Sequence, residues 1–400
     1  MTAYIYDGLR SPFGRHAGAL AGVRPDDLLA SVVRALVARN PFDVGDYEDL
    51  IAGCSSQAGE DGRNLARHVA LLSGLPTAVG GLTVNRLCGS GLAAVLDAAR
   101  AVRTGEGELF IAGGVESMSR APFVVAKAQS AWSRDFHVYD STIGARFPNP
   151  KVESGFGADS MPQTADNVAH ELGITREEAD TYAARSQVLF DAAVRDGFQA
   201  GEILPIEVPQ GRKQPPKRVE RDEHPRPQSN FEALSGLQPL FDGGVVTAGN
   251  ASGINDGAAA LLIGSRAIGE RAGLKPRARI LAGAVAGVEP RLMGLGPVPA
   301  CTKVLQRAGL SLADMDLIEI NEAFAAQVLG CARQLGVAFD DSRLNPNGGA
   351  IAIGHPLGAS GARLAYSAVR QLERSNGRFA LVSLCIGLGQ GIACVIERVD

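Results

Sequence analysis

Apolar and polar positions alternate in two ways along the first 120 residues of the chain. A period near 3.6 predicts an amphipathic helix over residues 25–39, and a further helix is predicted over 92–102. Short, continuous apolar runs at 50–54, 80–84 and 109–114 are typical of buried strands. Strands that alternate with helices in this way predict an α/β fold with a mostly parallel sheet covered on both faces.

Residues 121–249 interrupt this pattern. Aromatic, proline and charged residues become frequent there, and the one long helical region, residues 161–193, is split near Gly173. We interpret this span as a loop or cap domain inserted into the α/β fold. Regular alternation of strands and helices resumes at Thr247.

The second half of the chain repeats the first at a nearly constant displacement. Leu317 lies 267 residues after Leu50, and Gly361 and Leu381 each lie 270 residues after their counterparts, Gly91 and Ile111. Near-constant displacement over several landmarks indicates two copies of one βαβ unit.

The repeat predicts the domain organisation. An N-terminal half occupies residues 1–120 and is completed by about 250–270, the cap occupies 121–249, and a C-terminal half occupies 271–400. If the halves pack about a pseudo-twofold axis, the N-termini of the helices behind Cys88 and Gly358 meet at the centre. Open α/β sheets bind ligands at their strand-end loops, so we expect the functional site there.

Composition narrows the class of protein. The 400 residues are 46% hydrophobic and 20% charged, and 39 basic and 43 acidic residues give a net charge of −4. This balance argues against a nucleic-acid partner, and no apolar run approaches the ~20 residues of a membrane span. Six cysteines without a Cys-x-x-Cys pair favour free thiols in a reducing, cytoplasmic environment over a metal site or a disulfide scaffold.

Cys88 lies in a predicted turn between a strand and a helix. The positive end of the helix dipole favours the thiolate, so this position predicts a nucleophile. Gly89 and Gly91 on either side of Ser90 allow a sharp turn and leave room for a substrate. The alternative is a small buried cysteine that fills a gap between strand and helix.

Three further reactive side chains lie in predicted loops or turns near glycine: Asn321, His355 and Cys385. Each has a structural alternative, as a helix cap, a hydrogen-bonded buried histidine and a core cysteine respectively. Together with Cys88, the four residues favour a catalytic site at the junction of the two halves.

Four motifs in order resemble those of the thiolases, a family of acyl-CoA acyltransferases, over essentially the whole chain. They are Asn-x-x-Cys-x-Ser-Gly at residues 85–91, Asn-Glu-Ala-Phe at 321–324, Gly-His-Pro at 354–356 and Cys-x-Gly at 385–387. The resemblance implies the thiolase fold, with two repeated βαβ-type halves, mixed sheets in a layered α/β/α/β/α arrangement and an inserted loop domain. It also implies coenzyme A as a co-substrate, with no permanently bound cofactor and no metal.

The resemblance implies a role for each motif. Cys88 is the nucleophile, His355 takes its proton, and Cys385 moves a proton to or from the acetyl-CoA carbon. His355 with a water held by Asn321 forms one oxyanion site. The backbone N–H groups of Cys88 and Gly387 form the other.

The same resemblance implies a set of residues that bind the acyl-CoA. Arg226 lies near the nucleotide of CoA and Ser252 near its pantetheine arm. Met161, Ala323 and Phe324 line the acyl and pantetheine tunnel, and Ala248 completes the predicted binding set. The other basic residues near Arg226, namely Lys213, Lys217, Arg218 and Arg221, are interpreted as a solvated flap.

Segments 58–64, 142–147 and 161–167 most resemble the β-ketoadipyl-CoA (3-oxoadipyl-CoA) thiolases. This implies cleavage of 3-oxoadipyl-CoA to succinyl-CoA and acetyl-CoA in the breakdown of aromatic compounds. Ser160, where biosynthetic-type thiolases commonly have histidine, makes a short acetoacetyl-CoA substrate less favoured. Leu388 stands where many thiolases carry glycine. A thiolase acting on acetoacetyl-CoA or general 3-ketoacyl-CoA is the first alternative; a condensing enzyme and a non-catalytic acyl-CoA carrier are the others.

A 3-oxoadipyl group carries a second carboxylate, which needs a cation or several donors in the acyl pocket. Arg146 is the preferred candidate, with Arg134, Arg63 and Arg67 as further ones. The alternative for Arg146 is an ion pair within the cap. Residues 121–157 are rich in apolar and aromatic side chains, which predicts a homodimer or homotetramer that uses this region.

Overall fold

A computed structural model describes residues 1–211 and 214–399. The strands are β1 Tyr4–Arg10, β2 Gly14–Arg15, β3 Tyr47–Gly53, β4 Leu82–Val84, β5 Leu109–Ser117, β6 Phe123–Val125, β7 Val138–Asp140, β8 Ile206–Val208, β9 Lys217–Val219, β10 Asn255–Gly264, β11 Ala278–Gly287, β12 Leu317–Ile320, β13 Phe379–Ile386 and β14 Gln390–Arg398. The helices are α1 Pro25–Ala38, α2 Leu65–Leu72, α3 Ser90–Thr104, α4 Pro150–Phe156, α5 Met161–Leu172, α6 Arg176–Arg195, α7 Phe231–Ser235, α8 Arg266–Ala272, α9 Pro297–Ala308, α10 Ala325–Leu335, α11 Ala350–Ile353 and α12 Leu357–Ser375.

Local sequence signals explain where the helices begin and end. α1 begins with Pro25 in its first turn, where a missing N–H costs no hydrogen bond. The predicted break inside residues 161–193 is confirmed. α5 ends at Gly173, whose φ of 62° is left-handed, and Thr175 caps α6 by accepting from Glu178 N.

Ten of the described strands form one mixed sheet, in the order β4-β3-β5-β10-β1-β11-β14-β13-β12 with β2 beside β10, and the other four form two hairpins. Among the described strands of this sheet, parallel pairing is confined to β3 with β4 and β5, and to β12 with β13. The prediction of a mostly parallel sheet from alternation alone was therefore wrong, whereas the mixed sheet implied by the family resemblance is confirmed. Alternation could not reveal that β10 returns antiparallel to β5 after the cap, or that β13 and β14 form an antiparallel hairpin.

The two halves of the sheet are joined at a narrow seam. β1 and β11 pair at only two positions, Tyr4 with Arg279 and Ile5 with Ala278. On either side of this seam, long antiparallel ladders hold β1 to β10 and β11 to β14. The seam therefore marks the boundary between two nearly separate sheets.

Helices cover both sheets in the predicted five layers. One apolar cluster packs α1 and α2 against the outer face of the N-terminal sheet, and another packs α9 and α10 against the outer face of the C-terminal sheet. A central cluster holds α3 and α12 between the two sheets. This α/β/α/β/α arrangement confirms the fold class.

The central helices approach each other closely near their N-termini, as predicted. A Cβ on Gly91 would lie 2.5 Å from the Gly358 carbonyl oxygen, and a Cβ on Gly361 would collide with the backbone of Leu92. Only glycine permits this approach. Gly361, however, lies one turn inside α12 and does not open it, because the helix begins at Leu357.

The region between β5 and β10 forms the cap, with the short hairpins β6–β7 and β8–β9 and the helices α4–α7. The residue boundaries of the domains stay a prediction. Within the described ranges, no helix is both long and apolar enough to cross a membrane.

Candidate active site

Cys88 lies in the turn between β4 and α3. Asn85 Oδ1 accepts from Leu87 N at 2.9 Å, and Ser90 Oγ donates to the Leu87 carbonyl at 2.6 Å. Leu87 itself has a φ of 46°, an uncommon conformation for a leucine that the surrounding turn must hold in place. Bonds within residues 85–90 thus present a partly exposed Cys88 at the start of α3.

The electrostatics of Cys88 differ from the sequence-based expectation. Burial raises the pKa of the Cys88 thiol to about 11, and the charge of Glu116 acts in the same direction. The backbone N–H groups of Gly387 and of Cys88 oppose this rise. The prediction that the helix dipole favours the thiolate was wrong, because desolvation outweighs the donors at the helix start.

His355 is buried, and its partners define which ring nitrogen carries the proton. Ser360 Oγ donates its hydrogen to the Pro356 carbonyl at 2.9 Å and lies 2.7 Å from His355 Nδ1. Nδ1–H therefore donates to Ser360 Oγ, which leaves a lone pair on Nε2. Burial and the positive charge of Arg363 lower the pKa of His355 to about 3, so the neutral ring is the form present near pH 7.

Asn321 is positioned directly beside this lone pair. Its Nδ2 donates to His355 Nε2 at 3.3 Å, and its backbone N–H donates to the Ser383 carbonyl at 2.9 Å. Its Oδ1 is buried and has no hydrogen-bond partner among the described residues. The structure therefore brings Asn321 and His355 together and leaves the amide oxygen able to accept from a bound molecule.

The end of β13 carries the second thiol, and the loop that follows brings Gly387 to the same place. Cys385 is buried, and burial together with the neighbouring Cys88 raises its pKa well above the usual value. Gly387 lies against Leu87 and Met161; a Cβ on Gly387 would lie 3.3 Å from Leu87 Cδ1. The backbone N–H of Gly387 faces the sulfur of Cys88, so both predicted donors of the second oxyanion site point to one spot.

The structure gives a local explanation for one of the two departures from the family pattern, Ser160, and none for Leu388. Leu388 adopts a φ of 62° and is 64% exposed, a conformation that glycine adopts without strain. Ser160 caps α5 in a capping box with Gln163, whose Oε1 lies 2.8 Å from Ser160 N. Ser160 therefore has a structural role, as the N-cap of α5 at the edge of the site.

The predicted binding residues for acyl-CoA line one side of the site. Ser252 N donates to the Ala323 carbonyl at 2.9 Å, and Phe324 forms a bridge with Ala251. Ala323 and Phe324 join Cys385 in one apolar cluster, and Met161, at the start of α5, contacts Gly387.

Two further residues of the predicted CoA-binding set, Ala248 and the nucleotide-binding candidate Arg226, lie further out. Ala248 and Arg226 are both exposed, and the Arg226 backbone N–H donates to Gln187 Oε1 at 3.0 Å. Arg218, interpreted as part of a solvated flap, is exposed and pairs with Glu220. Lys213 lies outside the described residues.

The four candidates for binding a substrate carboxylate are placed differently. Arg146 is half-buried and donates to the Ser56 carbonyl, in the loop that follows β3. No ion pair of Arg146 occurs within residues 1–211 and 214–399, so the alternative of an acidic partner in the cap is not borne out. Arg67 donates to two backbone carbonyls, and Arg63 and Arg134 are exposed.

Sequence reasoning missed four side chains around the site: Glu116, Asn255, Ser360 and Arg363. Asn255 Oδ1 accepts from His355 N at 2.9 Å, but Asn255 lies 100 residues earlier, and nothing in the sequence links the two. Ser360 could have been found, because it lies on the first turns of the helix that follows His355.

Two thiols, a neutral histidine and converging backbone donors define an acyltransferase that works through a cysteine thioester. The chain belongs to the thiolase family: residues 3–267 match the thiolase N-terminal domain, and residues 274–398 match the thiolase C-terminal domain. It is similar to a β-ketoadipyl-CoA thiolase of Escherichia coli, at 58% identity over 399 residues and 99% of each chain.

Two further relatives extend the comparison. The 3-oxoadipyl-CoA/3-oxo-5,6-dehydrosuberyl-CoA thiolase of Escherichia coli strain K12 is 58% identical over 399 residues, again 99% of each chain. Human mitochondrial 3-ketoacyl-CoA thiolase in complex with CoA has a similar structure, with a TM-score of 0.91 and 39% identity. That match covers 100% of this chain and 98% of the human one.

Proposed function

We propose that this enzyme uses CoA to cleave 3-oxoadipyl-CoA into succinyl-CoA and acetyl-CoA, through an acyl-cysteine intermediate, in aromatic-compound degradation. The observation that carries this proposal is the 58% identity over 99% of both chains to a relative named for 3-oxoadipyl-CoA. A general 3-ketoacyl-CoA or acetoacetyl-CoA thiolase is the second candidate, favoured by the structural likeness to human mitochondrial 3-ketoacyl-CoA thiolase. A non-catalytic acyl-CoA carrier would have no use for the paired thiols.

The first step forms a bond between Cys88 and the substrate. His355 Nε2 takes the thiol proton as the sulfur attacks the keto carbon at position 3. A neutral histidine with its lone pair on Nε2 and its proton on Nδ1 suits this role. Because the pKa of Cys88 is high and that of His355 is low, proton transfer accompanies attack and does not precede it.

The second step breaks the bond between carbons 2 and 3. The electron pair passes into the thioester of the departing acetyl-CoA as an enolate, and Cys385 donates a proton to carbon 2. The enolate oxygen accepts from protonated His355 and from a water held by Asn321, which supplies the first oxyanion site. The unpartnered Asn321 Oδ1 supports a water at this position.

The third step releases the acyl group. The CoA thiol gives its proton to the Cys385 thiolate and attacks the carbonyl of the Cys88 thioester. Negative charge on that carbonyl oxygen is stabilised by the N–H groups of Cys88 and Gly387. Collapse of the intermediate expels the Cys88 sulfur, which regains its proton from His355.

CoA itself is held by the cap and by the loop before β10. The hydrogen bond from Ser252 N to the Ala323 carbonyl supports a pantetheine arm that runs between residues 248–252 and the apolar wall. Met161, Ala323 and Phe324 supply the apolar wall, and Arg226 supplies a charge for the nucleotide phosphates. The residues required are present, and no metal or permanently bound cofactor is needed in this scheme.

Arg146 binds the distal carboxylate of the substrate in this proposal. It is half-buried, and it donates to Ser56 in the loop beside the Cys88 turn. Among the described residues it has no acidic partner, so its guanidinium can pair with a carboxylate from the substrate. A paired carboxylate avoids the cost of burying a bare charge.

Rates of thiolysis across three substrates test the proposed function. Purified enzyme is assayed with acetoacetyl-CoA, 3-oxohexanoyl-CoA and 3-oxoadipyl-CoA at saturating CoA, and the loss of the 3-oxoacyl thioester is followed. We expect kcat/KM to be highest for 3-oxoadipyl-CoA. Equal values for the last two substrates would support the general thiolase, and binding without turnover of any substrate would support a carrier.

We propose that the enzyme is a cytoplasmic homodimer or homotetramer. Its six free cysteines support a reducing compartment. Large apolar side chains are exposed along residues 121–157, among them Trp132 at 99%, which supports a covered surface. Light scattering on the purified enzyme should show a dimer or tetramer, and a stable monomer at micromolar concentration would contradict this.

A further inference from the structure

Glu116 lies near the carboxyl end of β5, completely buried, and the proposed mechanism does not use it. Its two carboxylate oxygens accept three backbone hydrogen bonds. Oε1 accepts from Ser56 N at 2.9 Å, and Oε2 accepts from Ser55 N at 3.0 Å and from Gly358 N at 2.9 Å. A buried carboxylate with this many N–H donors serves as a rigid junction between the segments that supply them.

One of the three donors belongs to the segment that carries His355. Gly358 is the second residue of α12, three residues after His355. Its carbonyl packs against Gly91 and Gly114, and a Cβ on Gly358 would lie 2.6 Å from the Gly53 carbonyl oxygen. Glu116 therefore ties the start of the His355 helix to the N-terminal sheet.

The other two donors belong to a loop that contacts the Cys88 turn. The Ser55 carbonyl accepts from Asn85 Nδ2 at 3.0 Å, and Asn85 Oδ1 accepts from Leu87 N at 2.9 Å. A continuous chain of hydrogen bonds thus runs from Glu116 through Ser55 and Asn85 to the residue before Cys88. This chain assigns a structural role to Asn85, the first residue of the Asn-x-x-Cys motif.

Cys54 and Asp61 lie beside Glu116, and the three side chains could face a common metal ion. Backbone hydrogen bonds already engage three of the four carboxylate oxygens of this cluster, and the Cys54 thiol lies 3.8 Å from the fourth, Asp61 Oδ2. Both Glu116 oxygens accept backbone N–H groups, and Asp61 Oδ1 accepts from Gly59 N at 2.9 Å. The cluster therefore serves as a structural junction.

We propose that Glu116 is a positioning residue for this reaction, which sets the separation between Cys88 and His355 by holding both of their turns at once. It acts through Gly358 on the histidine side and through Ser55 and Asn85 on the cysteine side. The inference rests on the proposed function, since it assumes that Cys88 and His355 exchange a proton. Catalysis by such pairs is sensitive to displacements of about 1 Å.

Two variants test the proposal from its two ends. Glu116→Gln replaces one acceptor oxygen with an amide donor, which faces a backbone N–H and breaks at least one of the three bonds. Asn85→Ala removes the hydrogen-bonded link between Ser55 and the Cys88 turn. Because Asn85 is exposed, we expect this variant to fold. Asp316→Asn is the matched control, because Asp316 also accepts two backbone N–H groups, at the opposite end of the sheet.

For Glu116→Gln we expect kcat for thiolysis to fall by about 10- to 100-fold while KM for CoA changes by less than about threefold. Asn85→Ala should lower kcat in the same way, and the double variant should lose no more than the larger single loss. Alkylation of Cys88 by iodoacetamide does not require correct placement of His355, so its rate should stay close to that of the wild type. A generally loosened structure would instead raise KM and lower the melting temperature together with kcat.

A kcat equal to that of the wild type, in folded Glu116→Gln or in Asn85→Ala, would overturn the proposal. So would a double variant whose fold-loss in kcat equals the product of the two single losses. If Glu116→Gln does not fold, Glu116→Asp and Asn85→Ala carry the same test. The wild-type enzyme is measured first. If it shows no thiolysis, the proposed function fails, and that result is distinct from a failure of the role proposed for Glu116.

Discussion

The turn before α3 and the turn before α12 occupy equivalent places in the two halves, but they are built in different ways. In the N-terminal half, Cys88 is partly exposed and is held by bonds within residues 85–90. In the C-terminal half, His355 is buried and is held by Asn255, Asn321 and Ser360, of which only Ser360 is near it in sequence. The Cys88 turn is thus shaped mainly by local bonds, with one long-range link from Asn85 to the Ser55 carbonyl, whereas His355 is held mainly by tertiary contacts.

The strand ends differ as well. At the displacement of 267 residues, Cys54 corresponds to Asn321, and Ala52 to Glu319. The N-terminal positions contribute packing, since both are fully buried in an apolar cluster. The C-terminal positions carry a site amide and a buried carboxylate. Under the proposed mechanism, the two copies of the repeated unit take different roles: one supplies the nucleophile and the other most of the groups that move protons.

Removal of the N-terminal nucleophile should have the largest effect. We expect Cys88→Ser to keep the fold and to lower kcat at least ~10³-fold, because a serine hydroxyl ionises far less readily than a thiol. Mass spectrometry after mixing with acetyl-CoA should detect acetyl on the wild-type enzyme but not on the variant. An acetyl adduct formed on the variant at the wild-type rate would transfer the nucleophile's role to another residue.

Substitution of the C-terminal thiol should impair proton transfer without preventing acylation of Cys88. Cys385→Ala should still acquire acetyl from acetyl-CoA, but thiolysis should fall by roughly 10²- to 10⁴-fold, the range that a general acid or base contributes. Exchange of the acetyl methyl protons with deuterated solvent, followed by NMR, should disappear. Undiminished exchange would show that Cys385 only packs against the apolar wall.

Substitution of Arg146 tests whether the N-terminal half and the cap also determine substrate specificity. Arg146→Ala should cost about 2–5 kcal/mol of transition-state binding for 3-oxoadipyl-CoA and little for neutral 3-oxohexanoyl-CoA, by comparison of kcat/KM. Arg134→Ala, at an exposed position in the same cap, is the control and should change neither. Equal loss for both substrates would indicate a structural role through Ser56, and no loss would redirect attention to Arg134.

Glu319, in the C-terminal half, should make the stability of the protein fall as the pH rises from about 4.5 to 8. Burial raises its pKa to about 8, against the opposing charge of Arg363, so the folded protein favours the protonated carboxyl. That stabilisation is fully present below about pH 4.5 and is lost as the pH rises through about 8. Urea unfolding between pH 5 and 9 should show that Glu319→Gln becomes more stable relative to the wild type as the pH increases.

A surface carboxylate gives the matched control for this measurement. Glu373→Gln removes the partner of Arg277 on the surface of α12 and should shift stability by less than about 1 kcal/mol without this pH trend. A stability difference between Glu319→Gln and the wild type that stays constant from pH 5 to 9 would show that Glu319 does not titrate in this range.

Local sequence patterns were enough to predict most of the elements and the candidate site residues. Periodicity located most of the helices and strands because it reports which face of each element is buried, and the repeat displacement predicted the central meeting of α3 and α12. The motifs pointed to Cys88, His355, Asn321 and Cys385 as candidate site residues, since their residue types and neighbouring glycines are local features. Gly173 likewise marked the break between α5 and α6.

Tertiary structure alone decided the pairing of the strands and the charge states at the site. The antiparallel return of β10 depends on a chain path through the whole cap, which no local pattern records. Burial raised the pKa of Cys88 where the helix dipole alone predicted the opposite. Glu116 and Asn255 act on residues more than 90 positions away, such as Gly358 and His355, and only folding brings their oxygens within hydrogen-bond distance. Desolvation and long-range hydrogen bonds depend on three-dimensional proximity, so they remain outside the reach of sequence reasoning.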